Sequence, residues 1–346
     1  MFGKKMIKSL FLVSLLLMLG FSILGCAKEQ PQEQEPEATI NDYFPFDENV
    51  KMVYEGQGNE FASYTTYVDY INGDKIQIRV NNGGSENVNI LQNTGGALTE
   101  INSWGGDVYY KVDWTGEAAT TSTIILKEPL VEGTKWDLSD GSQREITGLT
   151  VAIETPYGSF EALEVTTTKD GQLIRKQYYA LGIGFVKSIF FGEEEEISSS
   201  LKEMIVGGGY DFEVRSYNFF VTYADILSNF DDKTVTLKTG EGIKDFLEAE
   251  FTEGGLISEN TVVNNVWHSP GSDVANIDFS EEFLSEMNSG STQESGVLNS
   301  VANTVGNYFQ VQKVIITMDG SPYSSGHILM KEGEAFDTTY QIVVPD

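Results

Sequence analysis

The chain has 346 residues, a net charge of −30 at pH 7 and a single cysteine, Cys26. This length allows two domains of ordinary size. So acidic a composition excludes nucleic acid as a partner, because nucleic-acid binding needs a basic face. It also disfavours a body that lies flat on anionic lipid.

Residues 1–26 have the pattern of an export signal. Three lysines give a positive start, an apolar stretch runs from Leu10 to Leu19, and the sequence Ile-Leu-Gly-Cys ends at Cys26. A positive start followed by a short apolar run is typical of a secretory signal peptide. The run is too short to span a membrane comfortably.

The four residues that end at Cys26 resemble the lipobox of bacterial lipoproteins. The resemblance implies that the signal peptide, residues 1–25, is removed and that the thiol of Cys26 receives a diacylglycerol. Lipid on Cys26 would then anchor an extracytoplasmic chain to the cell membrane, and two or more acyl chains give stable anchoring. With Cys26 acylated, no thiol is left for a disulfide.

Residues 26–40 comprise the lipidated cysteine and an acidic linker. The stretch AKEQPQEQEPEAT at 27–39 lacks large apolar residues and is rich in Glu, Gln and Pro. Such a composition predicts a disordered, extended spacer, which lifts the folded part by up to roughly 3.1 Å per residue.

The pattern of residues 41–206 predicts an antiparallel β domain. Phe61–Val80 alternates apolar and polar residues on both sides of Asn72-Gly73-Asp74, which predicts a β-hairpin. Further short strands are expected at 88–91, 108–113, 123–126, 145–154, 160–168 and 173–179. Many short strands with turn signals between them predict a curved antiparallel sheet, an open barrel or a sandwich.

Two segments of this domain resemble a family of exported bacterial β-sheet proteins and lipoproteins of unknown function. They are Thr155–Val165 (TPYGSFEALEV) and Tyr178–Lys187 (YYALGIGFVK), preceded by an early Tyr43-Phe44-Pro45. The resemblance implies a curved sheet that wraps a helix or leaves a concave apolar face. We interpret Gly182-x-Gly184 as a strand bulge, since no third glycine or opening helix makes it a dinucleotide loop.

The run Gly207–Gly209 marks the clearest boundary, and residues 213–346 alternate strand and helix patterns. Strands are predicted at 217–224, 234–238, 262–268, 273–279 and 311–318, and a helix at 242–251. Ser280 is predicted to cap a helix at 281–288 and Thr292 to cap the helix after it.

Three segments in this part resemble the GerMN domain. They are Val274–Phe283 (VANIDFSEEF), Val297–Phe309 (VLNSVANTVGNYF) and Val311–Gly320 (VQKVIITMDG). The resemblance implies an α+β domain of the kind known from sporulation and spore-germination proteins and from some cell-envelope lipoproteins. Such small helix-on-sheet modules can assemble into rings, so a homo-oligomer through this domain is one hypothesis.

The sequence contains few residues in patterns typical of catalytic or metal sites. His268 and His327 are the two histidines, and neither has the neighbours that a zinc site needs. A catalytic triad around either histidine stays open, but nothing in the sequence positions one.

Adjacent acidic residues are interpreted as solvated charge: Asp231-Asp232, Glu281-Glu282 and Glu193–Glu196. Calcium at Asp231-Asp232 or Asp273 is the alternative, although the twelve-residue calcium loop is absent. Asn303-Thr304 is either structural or an exposed edge used in association.

These observations predict a mainly β N-terminal domain and an α+β GerMN-like C-terminal domain in a non-enzymatic envelope lipoprotein without cofactor or metal. Its expected partners are the membrane, through Cys26, and an envelope protein or cell-wall polymer, in sporulation, germination or envelope assembly. The alternative is a carrier or sensor that holds an apolar or wall-derived small ligand in the aromatic β domain. A hydrolase acting on wall polymer is a third hypothesis.

Overall fold

The computed structural model describes residues 38–339, apart from 194, 222–225 and 288–289. The predicted signal peptide, Cys26 and most of the linker therefore lie outside the described residues. So do part of the strand predicted at 217–224 and the end of the helix predicted at 281–288.

Twelve strands form one antiparallel sheet in the order β6-β5-β4-β3-β2-β1-β12-β11-β10-β9-β8-β7. They are β1 (Val50–Gln57), β2 (Tyr64–Asn72), β3 (Lys75–Asn81), β4 (Glu86–Thr94), β5 (Ala97–Trp104), β6 (Thr123–Lys127), β7 (Lys135–Asp137), β8 (Gln143–Glu154), β9 (Ser159–Lys169), β10 (Gln172–Ala180), β11 (Gly184–Phe191) and β12 (Glu196–Val206). A 3-10 helix at Glu60–Ala62 precedes β2.

The sheet curls until its two edge strands almost meet. The Trp136 indole Nε1 on β7 donates to the Ile124 carbonyl on β6 at 3.1 Å. The Arg144 guanidinium on β8 donates to the same carbonyl at 2.6 Å. Side chains rather than a strand ladder thus bridge the seam, and the prediction of a curved sheet or open barrel is confirmed.

The alternating sequence of β2 and β3 produces the predicted hairpin. Gly73 takes a left-handed φ of 61° in the turn, which a residue without Cβ adopts at little cost. Ile71 pairs with Ile76 and Ile76 pairs with Leu91, so one apolar row faces the barrel interior. The interior core also includes Leu98, Ile146 and Val165, each fully buried.

A short helix, α1 (Ile40–Tyr43), fastens the start of the described chain to one end of the barrel. Ile40 is buried in the interior core, and its amide donates to the Glu128 carboxylate at 3.0 Å. The Asp42 carbonyl accepts from the Gly182 amide at 2.7 Å in the turn between β10 and β11. The segment therefore lies across the barrel end at which β10 finishes.

The C-terminal part begins with a long hairpin, β13 (Tyr210–Val221) and β14 (Ile226–Leu237). It continues with α2 (Lys244–Glu253), β15 (Val263–His268), β16 (Val274–Phe279), α3 (Glu282–Glu286), α4 (Ser291–Phe309), β17 (Lys313–Met318), β18 (Ser321–Pro322) and β19 (Phe336–Asp337). The second sheet has the order β15-β16-β17-β18, with β19 also paired to β17. Because β16 and β17 are parallel, α3 and α4 form the crossover that such a pair needs. The predicted α+β architecture is confirmed.

Both helix caps in this part differ from the predictions. The residue before α3 is Glu281, and the Ser280 hydroxyl instead accepts from the amide of Val262, the residue just before β15, at 3.1 Å. The residue before α4 is Gly290, with a left-handed φ of 109°, so Thr292 lies inside the first turn. The hydroxyls of Ser280 and Thr292 could each cap a helix, but a tertiary hydrogen bond at Ser280 and the glycine turn at Gly290 determine where the helices begin.

Residues 105–122 join β5 to β6 and connect the two parts of the molecule. The strand predicted at 108–113 is wrong, because side chains of β3 bind the carbonyls of this segment. Gln77 Nε2 donates to Val112 O at 2.8 Å, and Arg79 Nη2 donates to Tyr110 O at 2.6 Å. The segment is therefore a crossing layer on the outer face of the barrel.

The crossing layer is continuous with the C-terminal core. Tyr110 and Trp114 are buried in one apolar cluster together with Val305 and Phe309 of α4. The Trp114 indole donates to the His268 carbonyl at 2.8 Å, and the Lys111 amide donates to the Tyr308 hydroxyl at 2.9 Å. The outer face of the barrel and the C-terminal sheet thus share one apolar cluster, which is separate from the interior core of the barrel.

Arg79 provides a test of this connection. It is 1% exposed and pairs with Asp69 at 3.0 Å and Glu86 at 2.7 Å. We expect Arg79→Ala to lower the free energy of unfolding by about 3–5 kcal/mol, because it leaves two buried carboxylates unpaired. Urea unfolding of the chain without residues 1–26 measures this.

Lys202→Ala is the matched control, since Lys202 pairs with Glu55 on the surface at 3.0 Å. An exposed pair contributes about 0–1 kcal/mol. Equal losses in the two variants would show that Arg79 has no special part in joining the crossing layer to the barrel.

Candidate ligand-binding cavity

The barrel encloses a cavity of about 340 Å³. Its wall includes residues from the α1 end, from β1 to β6 and from β10 to β12. Twelve strands make a barrel wider than the eight-stranded kind that side chains can fill. The volume falls within the usual range for sites that bind small molecules.

Most of the cavity wall is apolar. The apolar lining residues include Phe44, Met52, Val68, Ile76, Ile78, Leu91, Ile125, Ile183, Phe185 and Met204. The rings of Tyr54 and Tyr64 stack with their centroids 4.6 Å apart. Tyr54 OH donates to the Phe185 carbonyl at 2.9 Å, which satisfies its polar atom.

The lining phenols stay neutral at ordinary pH. Burial raises the pKa of Tyr179 to about 12, an effect that the positive charges of Arg144 and Arg175 reduce. Burial also raises the pKa of Tyr54 and Tyr64 above the usual value for tyrosine. These rings therefore contribute apolar surface to the cavity rather than negative charge.

One side of the interior is polar. Arg175 and Gln177 of β10 both line the cavity. Thr167 of β9 lies directly opposite Arg175, and Arg144 of β8 lies directly opposite Thr167. Because directly paired residues point to the same face of a sheet, Arg144, Thr167 and Arg175 form one row across three strands.

This polar row contains buried atoms without partners. Among the described residues, Arg144 Nε, Thr167 Oγ1 and Gln177 Oε1 are buried and make no hydrogen bond. Buried polar groups are hydrogen-bonded in the great majority of native structures. The three exceptions lie on adjacent strands of one interior face, and Gln177 is the one of these residues that lines the cavity.

The electrostatics of the row are positive. In the described part of the chain, no carboxylate oxygen lies within 4.0 Å of the guanidinium nitrogens of Arg144 or Arg175. Burial lowers the pKa of Arg144 and the charge of Arg175 lowers it further, whereas Tyr179, Glu100 and Asp140 oppose this shift. The nearby Glu100 has a pKa raised by burial, which the charge of Arg144 partly offsets.

Sequence reasoning anticipated a concave apolar face but missed this polar row. Arg144, Thr167 and Arg175 lie on three consecutive strands, and the strand register sets them side by side.

The two histidines lie elsewhere. His268 packs beside Tyr110 and stacks on Phe309, its Nε2 lies 2.9 Å from the Ser272 carbonyl, and its buried Nδ1 makes no hydrogen bond. Burial lowers its pKa, although the hydrogen bond to Ser272 opposes this. A neutral ring between aromatic neighbours has a structural role.

His327 belongs to a cluster that the sequence did not reveal. Its Nδ1 lies 2.9 Å from Oε2 of the buried Glu294, and Tyr323 OH donates to Oε1 of Glu294 at 2.7 Å. Burial raises the pKa of Glu294, but hydrogen bonds from Ser325, Tyr323 and His327 outweigh it, and the pKa is lowered. Because Ser325 bonds the carboxylate, these residues lack the serine–histidine contact of a nucleophilic triad.

Asp232 is the calcium candidate for which the structure shows an ion pair. Asp232 forms a two-point ion pair with Arg215 at 2.6 and 2.9 Å. Within the described ranges, no group of three or more His, Cys, Asp or Glu residues is arranged to hold a metal ion.

The interpretation of Asn303-Thr304 as an exposed edge is wrong, because both residues are buried. Asn303 bonds Thr339, and the Thr304 hydroxyl accepts from the Tyr217 amide at 2.9 Å. Gly182 and Gly184 have left-handed φ angles of 70° and 103° where β10 turns into β11.

Comparisons with known proteins identify part of the chain. Residues 228–324 match the model of the Germane family, described as sporulation and spore germination. A search of curated proteins gives no significant match. Within residues 38–339, leaving out the undescribed gaps, no helix is long and apolar enough to cross a membrane.

The chain is also similar to a solved structure, that of a candidate lipoprotein from Parabacteroides distasonis, at 15% sequence identity and a TM-score of 0.24. The match covers 47% of this chain and 98% of that chain. A TM-score this low carries no argument about fold or function. The resemblance to GerMN proteins is confirmed by the family match: the chain contains a Germane domain at residues 228–324.

Proposed function

We propose that this protein is a non-enzymatic, lipid-anchored binding protein of the cell envelope, whose barrel holds an apolar small ligand. The observation that carries the proposal is the cavity of about 340 Å³ inside the barrel. An apolar cavity with a few convergent polar groups is the usual form of a small-molecule site. The Germane domain associates the protein with sporulation or spore germination, the processes for which its family is described.

A cavity-filling variant tests ligand binding. Ser188 lines the cavity on β11, so Ser188→Phe places an aromatic ring in the space that a ligand would occupy. The neutral fluorophore N-phenyl-1-naphthylamine becomes bright in apolar surroundings and serves as the probe. We expect the chain without residues 1–26 to bind it, and Ser188→Phe to weaken binding at least about tenfold.

Thr150→Phe is the matched control, because Thr150 is exposed on β8. It should bind the probe as the unmodified chain does. Failure of the unmodified chain to enhance the fluorescence, or equal binding by Ser188→Phe, would rule out the cavity as a ligand site.

Cys26 is the proposed anchor. Replacing it removes the thiol that the lipobox resemblance assigns to diacylglycerol transfer. We therefore expect Cys26→Ala to be released from the membrane or to keep its signal peptide, whereas Ser22→Ala should behave normally. Cell fractionation with a mass measurement of the product checks this, and a processed Cys26→Ala chain that stays on the membrane would contradict it.

A second function, binding of an envelope protein by the Germane side, is favoured by the end of the β13–β14 hairpin. Four large apolar residues there are exposed: Phe220, Val221, Leu227 and Phe230. Apolar side chains suit a protein surface better than a hydrophilic wall polymer. Acidic residues lie along the same hairpin, and the chain has a net charge of −30. The partner should therefore present an apolar patch among basic residues rather than be a second copy of this chain.

The hairpin variant Phe220→Ser/Leu227→Ser tests this second function. Chemical crosslinking in intact cells should give a product with one basic envelope protein, and the variant should lose it. The control Phe61→Ser/Leu329→Ser removes two exposed apolar residues elsewhere and should keep the product. Light scattering would contradict the proposal if the purified unmodified chain were a dimer and the hairpin variant a monomer, because the hairpin would then mediate self-association.

A further inference from the structure

We propose that the barrel ligand is a single-chain amphiphile with an anionic head group, which binds at the row formed by Arg144, Thr167 and Arg175. This inference rests on the proposed ligand-binding function and names the class of ligand. Four observations carry it: the register of the row, its unpartnered atoms, its unbalanced charge and its position along the barrel.

The register brings the binding atoms onto one surface. Arg144 and Arg175 flank Thr167 on the two neighbouring strands. Adjacent strands lie about 4.8 Å apart. Arg144 Nη1 donates to the Ile124 carbonyl and the Arg175 guanidinium lies 5.7 Å from the ring centroid of Phe190, so a small anion over Thr167 would be reached by Arg144 Nε and by a turn of the Arg175 side chain. Gln177 lies two residues from Arg175 on the same inward face and lines the cavity with it.

The unpartnered atoms suit an anion. Arg144 Nε and the Thr167 hydroxyl are buried donors without a partner in the described chain. A carboxylate or phosphate offers several acceptor sites and no obligatory donor. Gln177 Oε1 is itself an acceptor without a partner, and rotation of the side-chain amide would present its NH2 to the same anion.

The charge balance differs from that of the other buried arginine. Arg79, on the outer face of the barrel, has carboxylates at 3.0 and 2.7 Å. Arg144 is 7% exposed and has no carboxylate oxygen within 4.0 Å among the described residues, while Glu100, which lines the cavity, and Asp140 act on it from farther away. Because buried charges are normally paired, a ligand anion supplies what the chain itself does not.

The position of the row sets the orientation of the ligand. The α1 end of the chain covers the barrel where β10 finishes at Ala180. Arg175 lies five residues earlier on β10, which is about 17 Å away along an extended strand. Arg175 is also exposed, so the head group lies toward the open end. The hydrocarbon chain extends toward Phe44 and Leu91.

Displacement of N-phenyl-1-naphthylamine by matched amphiphiles tests the inference. Dodecanoate, dodecyl phosphate and the neutral dodecanol are compared below the concentrations at which they form micelles. We expect an anionic compound to displace the probe at a concentration at least about tenfold lower than dodecanol does. The better of the two anions identifies the head group as carboxylate or phosphate.

Variants then locate the head group. In Arg175→Gln, the concentration at which the anionic compound displaces the probe should come within about twofold of that for dodecanol, whose own value should not change. Arg175→Lys should restore part of the preference for the anion. Lys202→Gln, on the surface, should change neither. Arg175 is exposed, so its replacement is compatible with folding, which the unchanged dodecanol value verifies.

Two results would overturn the inference. If the anions and dodecanol displace the probe at equal concentrations, the ligand does not need an anionic head group, although the proposed ligand-binding function is still supported. A parallel loss for all three compounds in Arg175→Gln would show that the residue only supports the wall. Absence of probe binding in the unmodified chain would instead contradict the proposed function itself.

Discussion

The guanidinium of Arg79 is bound by Asp69 and Glu86 and also donates to the carbonyls of Val108 and Tyr110. It therefore fixes the crossing layer, residues 105–122, to the outer face of the barrel. That layer carries Tyr110 and Trp114 into the core of the C-terminal part. Tyr110 and Trp114 are therefore buried where the outer face of the barrel meets the C-terminal part.

The same physics of buried charge separates the two faces of the sheet. On the outer face, Arg79 is paired with two carboxylates of the chain and fixes the crossing layer to the barrel. On the inner face Arg144 and Arg175 have no carboxylate oxygen within 4.0 Å among the described residues, and Arg175 lines the apolar cavity. The interior of the twelve-stranded barrel is partly filled by its own apolar core, and a cavity of about 340 Å³ remains beside the α1 segment.

Local signals in the sequence were sufficient for much of the fold. Alternation around Asn72-Gly73 predicted β2 and β3, and the junction from β16 into α3 carried the resemblance that the family match confirms. Non-local features were not accessible. The pairing of β1 with β12 joins residues about 150 positions apart, and residues 108–113 alternate like a strand although Arg79 and Gln77 bind their carbonyls. An inward arginine on β10 is also indistinguishable in sequence from an outward one until the register is known.

Native mass spectrometry of the full chain, extracted in mild detergent from its own envelope, tests the central claim most directly. The account predicts one bound amphiphile per chain, with an acidic head group, that excess dodecanoate replaces and that is missing from Ser188→Phe. A measured mass equal to that of the protein alone, with no uptake of added dodecanoate, would contradict the account.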